Sequence, residues 1–394
     1  MTNLLPDASF RHAEGLDRLI AALGSDTARY VGGIVRDTLL GLEAADIDLA
    51  TRHQPDDVVD LLRAARIKTV PTGIAHGTVT AILPSGPVEV TTLRHDVSTD
   101  GRHAIVAFTD DWREDAARRD FTINALYADP VSGEVFDYFD GLADLAARRV
   151  RFIGDPYRRI AEDHLRILRF FRFHARFGDT IDQAGLAACA ARANDLMALS
   201  RERIASELLK LLVAPQAVAV MTLMVDHGIL RAVLPEITDT AALTALAARE
   251  TAAGVAPNAV RRLAALIPPE TADGIGARLK LSKVDRKRLS QASAGPGDEG
   301  PRALAYRVGP VVATDRLLLA GGDVAALADW TPPTLPIAGG ALVERGLRKG
   351  PEVAAALRRI ETRWIGEHFP DARRVGQIAD DEVAVAAAPD TSSA

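Results

Sequence analysis

The sequence predicts an α+β protein: a head with a small mixed or antiparallel sheet and a few helices, followed by an all-α neck, body and tail. Two observations predict it. Before about residue 150, short β-rich runs ("ARYVGG", "DIDLAT", "TVTAIL", "VEVTTL", "ALYAD", "EVFDYF") alternate with turns and short helical pieces. Beyond it the strand signals fade, and Ala/Leu/Arg-rich helical patterns continue to about residue 368. At 394 residues the chain exceeds what one core organises. The expected parts are a head over 1–147, a neck over 148–240, a body over 241–370 and an acidic, disordered tail over 371–394.

Taken in order, "YVGGIVRDTLLG" reads as strand, Gly-Gly turn and helix start. The two glycines let backbone approach a ligand closely, the helix N-terminus favours an anion, and Arg36 can add a charged fork to a phosphate. "DIDLAT" follows nine residues later. Strand side chains alternate faces, so Asp46 and Asp48 share one face while Ile47 and Leu49 turn into packing. Two like charges held side by side repel. An anion site beside an acidic pair suits a triphosphate bridged by Mg²⁺, an oxygen-seeking cation. "DDVVDLLRAARI" is an ordinary amphipathic core helix, and "LPSGPVEV" and "ADPVSGEV" read as hairpin connections. Glu89, within "PVEVTTLR", is either a solvent-facing strand residue or, if its strand neighbours "DIDL", the third carboxylate of a catalytic, cation-binding cluster with Asp46 and Asp48.

"RRDFTINAL", 118–126, reads as a capped helix start, with Asp120 or Thr122 as the cap and Phe121, Ile123 and Leu126 in the core. "GDPYRRIAEDHLRILRFFRFHARFG" reads as one helix, with Asp155 as N-cap, Pro156 in the first turn and Gly178 as the stop. Within it Asp163, Arg166, Arg169, Arg172 and Arg176 recur every three or four residues. That stripe is either a solvated, salt-bridged face or a phosphate-facing one; four arginines against one aspartate favour the second. The His-Asp pair of "RHD" at 94–96 and His76 in "GIAHGTVTAIL" are read as structural residues.

Composition bounds the setting. The hydrophobic share of 48% and the charged share of 25% belong to an ordinary soluble protein. A single cysteine, Cys189, excludes an internal disulfide and a cysteine-based zinc cluster. With no signal-like start and no apolar stretch of spanning length, a cytoplasmic protein without a membrane partner is expected. No obligate protein partner is visible. Net charge is −6, yet residues 148–176 carry nine arginines against three acids, and "KLSKVDRKR", 280–288, is a second basic cluster. Charge sorted in this way fits a polyanion held at chosen places.

"GGIVRD" followed by "DIDLAT" resembles the signature of polymerase-β-like nucleotidyltransferases, in the class II branch of CCA-adding enzymes and bacterial poly(A) polymerases. "RRDFTINAL" resembles that family's ribose-recognising motif, "EDHLRILRFFRF" its base-reading helix, and "LSRERIASELLKLL" the neck motif that follows. His164 stands where the family pattern often has proline. The resemblance spans roughly residues 28–240 and continues weakly at "GLRKGPEVAAALRRIETRWI". It implies that Asp46 and Asp48 hold Mg²⁺, with Glu89 beside them, and that Gly33 and Arg36 contact the nucleotide. Arg119, Asp120 and Asn124 would sit near ribose and phosphates, and Asp163, Arg166, Arg169 and Arg172 would serve base and triphosphate recognition. "PTGIAHGTVTAI", the acidic tail and the long polar segment after residue 93 favour the CCA-adding branch. Its members add C, C and A to the 3′ end of tRNA from CTP and ATP, gripping the acceptor arm. Poly(A) synthesis on RNA 3′ ends is the alternative. A non-catalytic tRNA-binding protein is the second, disfavoured because a binder has no use for a costly acidic pair.

Overall fold

Alternation of apolar and polar residues builds the head's sheet. Its strands are β1 (Ala28–Val31), β2 (Ile47–Thr51), β3 (Lys68–Gly73), β4 (Thr78–Leu83), β5 (Gly86–Thr92), β8 (Leu126–Ala128) and β9 (Val135–Asp137), in the order β3-β4-β5-β2-β1-β8-β9. The computed structural model describes residues 3–43, 46–74, 77–99 and 104–387. Both expected hairpins are present, as β4–β5 and β8–β9. β2 lies antiparallel to β1 and parallel to β5. The parallel pair is held by Leu49, Val88 and Val90, all buried, and its register sets Asp48 opposite Glu89.

Between these strands run α1 (Leu16–Leu23), α2 (Gly33–Leu39), α3 (Pro55–Ala64), α4 (Trp112–Ala117) and α5 (Gly141–Ala146). α3 buries Val58 and Leu62, as its amphipathic pattern predicts. On one face of the sheet Val31, Ala50, Leu93, Trp112, Ala116, Ala125, Tyr127 and Ile153 form a continuous core. The long polar segment after residue 93 is not a plain loop. β6 (Arg94–Thr99) and β7 (Ala104–Phe108) pair as a separate two-stranded sheet. His76 and residues 100–103 lie outside the described residues.

The helices that follow are α6 (Pro156–Glu162), α7 (Leu165–Phe177), α8 (Gln183–Ala191), α9 (Arg201–Leu212) and α10 (Ala217–Asp226). The expected single helix over 156–177 is therefore two. Asp155 caps the first by accepting from the Tyr157 N–H, with Pro156 in its first turn. Asp163 then adopts an extended backbone, φ −149° and ψ 107°, and its Oδ1 accepts from the Leu165 N–H at 3.1 Å. An aspartate that caps a new helix start competes with the ladder and breaks the helix. α7 ends at Gly178, where a Cβ would collide with the His174 ring unless that ring moved. Met1–Thr240, the expected head and neck together, is one compact unit.

Ala241–Ala394 is the second unit. It contains α11 (Ala241–Ala252), α12 (Ala259–Ala264), α13 (Ala272–Arg278), α14 (Lys283–Ala292), α15 (Pro301–Val308), α16 (Pro310–Ala320), α17 (Gly339–Glu344), α18 (Pro351–Gly366) and α19 (Ala372–Ala387). The tail expected to be disordered from residue 371 is helical through Ala387. Its polar composition hid an apolar stripe, Val375, Ile378 and Ala379, which is fully buried against Ile360 and Trp364 of α18 and Leu342 of α17. The basic cluster 280–288 is also less available than its charge suggests. Arg286 forks onto Asp273 at 2.8 and 2.6 Å, and Arg288 onto buried Asp315 at 2.7 and 3.0 Å. No helix among the described residues is long and apolar enough to cross a membrane.

Candidate active site

Local chain geometry brings the head's motifs to one place. At Gly32 the backbone takes φ 70° and ψ −118°, a conformation that L side chains rarely adopt. This turn carries β1 into α2 and aims Arg36 inward. At Gly33 nothing comparable operates, since a Cβ there would meet only Arg36 Nη2, at 3.8 Å. Asp46 immediately precedes β2 and is exposed; Asp48 lies within the strand and is half-buried.

A cavity of about 560 Å³ opens between these elements and α7. Gly33, Arg36, Asp46, Asp48, Arg119, Asp120, Asn124, Asp163, Arg166, Arg169 and Arg172 all line it. Glu89 does not, although the strand register sets it beside Asp48. Gly32, Arg118, Phe173 and Arg176 complete the lining and were not singled out as site residues from sequence, although Arg176 belongs to the stripe. Seven arginines face four aspartates across the cavity, so its wall offers an anion many guanidinium donors.

The arginine stripe is not under-neutralised, as its own helix suggested. Each member has a carboxylate, mostly from another element: Arg166 pairs with Glu162, Arg169 with Asp120, Arg172 with Glu207 and Arg176 with Asp37. Asp163 does not pair with Arg166. Both of its oxygens accept from Arg203 Nη2, at 3.1 and 3.0 Å. Asp37 and Glu207 are buried, so these carboxylates hold the guanidinium groups from behind. Phe173 and Phe177 give further support: Arg172 lies 4.1 Å from the Phe173 ring centre, and Arg36 4.5 Å from that of Phe177.

"RRDFTINAL" is a 3₁₀ turn, Thr122–Asn124, rather than the start of an α-helix. Phe121, Ile123 and Leu126 are buried as expected. Asp120 becomes a buried hub whose Oδ1 accepts from the Phe121 N–H and Asn124 Nδ2, both at 2.9 Å, while Oδ2 accepts from Arg169. Burial alone would raise its carboxyl, but Arg169 and Asn124 hold it below the usual range. Arg36 donates to Asp37 and to the Asn124 side-chain amide oxygen, and burial lowers its pKa. A second hub, buried Asp115, takes Arg118, Arg119 and the Tyr127 hydroxyl at 2.9, 2.9 and 2.6 Å. Arg118 and Arg119 are thereby fixed toward the cavity. Sequence offered no signal for Asp115 beyond its position in an acidic helix turn.

Asp48 is the strained acid of the site. Burial, then Glu89, push its carboxyl up to about 6; Arg119 opposes them and Asp46 adds to the rise. Among the described residues no group of three His, Cys, Asp or Glu side chains is placed to hold a metal ion by itself. Two crowded carboxylates at the mouth of an arginine-lined cavity do match a hard cation. Mg²⁺ usually takes one or two carboxylates and completes its shell with water and substrate phosphate.

Two families match the chain, one described as "Poly A polymerase head domain" over residues 28–151, the other as "Probable RNA and SrmB- binding site of polymerase A" over residues 180–240. The chain is 34% identical to the mitochondrial CCA tRNA nucleotidyltransferase 1 of Mus musculus, over 91% of this chain and 88% of that protein. To the CCA-adding enzyme of Latilactobacillus sakei subsp. sakei it is 31% identical, over 94% and 97%. It superposes on the Bacillus stearothermophilus CCA-adding enzyme in complex with CTP with a TM-score of 0.70 and 25% identity, covering 96% of this chain and 99% of that one.

Proposed function

Because the chain belongs to the class II CCA-adding nucleotidyltransferase family, we propose that it adds C, C and A in turn to the 3′ end of tRNA, from CTP and ATP and without a nucleic-acid template. The observation that carries this reading is the cavity, with two carboxylates at one side and a guanidinium wall at the other. The tRNA 3′-hydroxyl gives up its proton to water and attacks the α-phosphate; the P–O bond to the β-phosphate breaks and pyrophosphate leaves. Asp46 and Asp48 would hold Mg²⁺, which when bound lowers the pKa of the attacking hydroxyl and offsets phosphate charge. Arg36, Arg119, Arg169 and Arg172, already oriented by their own acids, stabilise charge on the triphosphate without reorganising. Gly33, where packing does not require glycine, leaves room for the nucleotide to approach backbone.

Asp163 and Arg166 serve as the base-reading pair. Asp163 lies at the break between α6 and α7 and Arg166 in the first turn of α7, so the two do not share one continuous helix face. Arg166 spends Nη1 on the Arg159 carbonyl and Glu162, and Nη2 on the Arg118 carbonyl, which leaves its Nε–H and one Nη2–H to donate. The Asp163 carboxylate keeps a lone pair beyond its contacts with Arg203 and Leu165. Cytosine and adenine share an amine beside an unprotonated ring nitrogen, which this acceptor and donor match. Uracil and guanine present the reverse pattern. A good bidentate contact discriminates by about 1–3 kcal/mol. Asp163→Ala and Arg166→Ala should therefore cost CTP and ATP most and narrow their lead over UTP and GTP. Single-nucleotide incorporation with all four substrates measures this, and unchanged selectivity in both variants would end the template reading.

Sequencing the products made from CTP, ATP and a tRNA lacking its 3′ end tests the function as a whole. A C-C-A terminus supports it, an A-only tract identifies a poly(A) polymerase, and binding without extension identifies a non-catalytic binder. We place the chain in the cytoplasm. The mouse relative's name is mitochondrial, and cell fractionation distinguishes the two.

A further inference from the structure

The second unit carries a charged surface that the nucleotide chemistry does not use. On α18, Ala355, Arg358, Arg359, Thr362 and Arg363 line a shallow groove of about 480 Å³. Positions 358 and 362, and 359 and 363, are one helical turn apart, so the three guanidinium groups and the hydroxyl share a side of the helix. Small Ala355 leaves the floor open. Such a surface has the chemistry of an anion track, because guanidinium forks match phosphate oxygens.

The anions that now meet it come from the chain's own end. α19 carries the run Asp380, Asp381, Glu382, and each member pairs with a different arginine, one just after α17 and two on α18. Asp380 takes Arg345, outside the groove, at 2.8 Å; Asp381 takes Arg363, which Glu367 also holds at 3.0 Å, at 2.9 Å; and Glu382 takes Arg359 at 2.6 Å. Arg358 lines the same groove, is exposed, and has no acidic partner among the described residues. α19 does not depend on these pairs for its seat, which Val375, Ile378 and Ala379 provide. The Asp380 and Asp381 carboxylates are more than half exposed, and pairs open to water are weak; Glu382 is the more buried of the three. Acids so held can yield their arginines to a polyanion.

We propose that the α18 groove is an RNA-phosphate site, and that the acidic run of α19, through Asp381 and Glu382, occupies two of its three arginines in the RNA-free chain and sets how tightly RNA is held. The inference rests on the tRNA reading above for its partner. It makes the last helix a built-in competitor that weakens RNA binding and favours release of the product.

The test uses the full chain and tRNA, with affinity measured by fluorescence anisotropy across a salt series. D380N/D381N/E382Q should raise affinity about tenfold at low salt and steepen the log–log salt slope by roughly 2, since each phosphate neutralised contributes roughly 0.7–0.9. D56N/D57N/D60N on α3, which makes the same change in net charge elsewhere, should do neither. In an R358A/R359A/R363A background the gain should vanish. R358A alone, which disturbs no internal pair, should flatten the slope by roughly 0.7–0.9. An acid variant no different from the α3 control, or a gain that survives loss of the arginines, overturns the proposal. Failure of the unaltered chain to bind tRNA and extend it would instead overturn the function on which it rests.

Discussion

Asp48→Ala, or the near-isosteric Asp48→Asn, is expected to lower nucleotide transfer at least about a thousandfold in Mg²⁺, because metal-borne charge stabilisation contributes several kcal/mol to such a step. Folding and tRNA binding should survive. The reason lies in the repulsion built into β2: burial and the neighbouring Glu89 push the Asp48 carboxyl from 3.8 up to about 6. A folded-state pKa above the unfolded one means that the metal-free fold is penalised once the unfolded chain ionises. The penalty is absent below about pH 4, grows as pH rises to about 6, and is then complete. Its size is on the order of 2 kcal/mol once solvent access to the half-buried group is allowed for. Metal-free Asp48→Asn should therefore melt at a higher temperature than the unaltered chain at pH 8, and at the same temperature at pH 4. Thermal melts in chelator check the sign. Substantial turnover by either variant would remove Asp48 from the metal site, and a lower melting point at pH 8 would contradict the stored repulsion.

The largest loss of stability is expected from Asp315→Ala. Asp315 is fully buried on α16 and accepts from Arg261 of α12 at 3.2 Å and from Arg288 of α14 at 2.7 and 3.0 Å. Arg261 also pairs with buried Glu250 of α11, which in turn takes Arg262. Removing the central carboxylate strands guanidinium charge inside the unit, and breaking a buried pair in this way costs about 3–5 kcal/mol. Trp330 and Trp364 lie in the second unit and Trp112 in the first, so tryptophan fluorescence in a urea titration reports mainly on the part affected. The midpoint should fall sharply. A shift worth less than about 1 kcal/mol would show that water or repacking satisfies the stranded arginines, and that the network contributes little to stability.

What could be read in the sequence is what neighbouring residues decide among themselves. Backbone alternation alone set Asp46 and Asp48 on one face. The Pro and Gly turns marked the β4–β5 and β8–β9 hairpins, Asp155 and Pro156 the start of α6, and the period of Val58 and Leu62 the buried side of α3. The order of the motifs located nearly all of the cavity's lining, since each motif needs only a few consecutive residues to be recognisable.

Local readings failed where a competing local bond or a distant partner decided the outcome. Asp163 looked like one more member of a helical stripe, but its side chain caps the next helix and breaks the run. Glu89 was either a surface residue or a third carboxylate until the parallel pairing of β2 with β5 put it opposite Asp48. The stripe arginines looked unneutralised because their acids lie far along the chain: Asp37 is 139 residues from Arg176, and Asp120 is 49 from Arg169. The residues after 371 read as a disordered acidic tail because a stripe as thin as Val375, Ile378 and Ala379 orders a helix only when another surface is there to cover it, and α18 supplies that surface. Short motifs were enough to mark most of the side chains that line the cavity, because each motif depends only on neighbouring residues. Tertiary structure alone decided which charges cancel, because an ion pair depends on the few ångströms between two groups, and only the folded chain sets that distance.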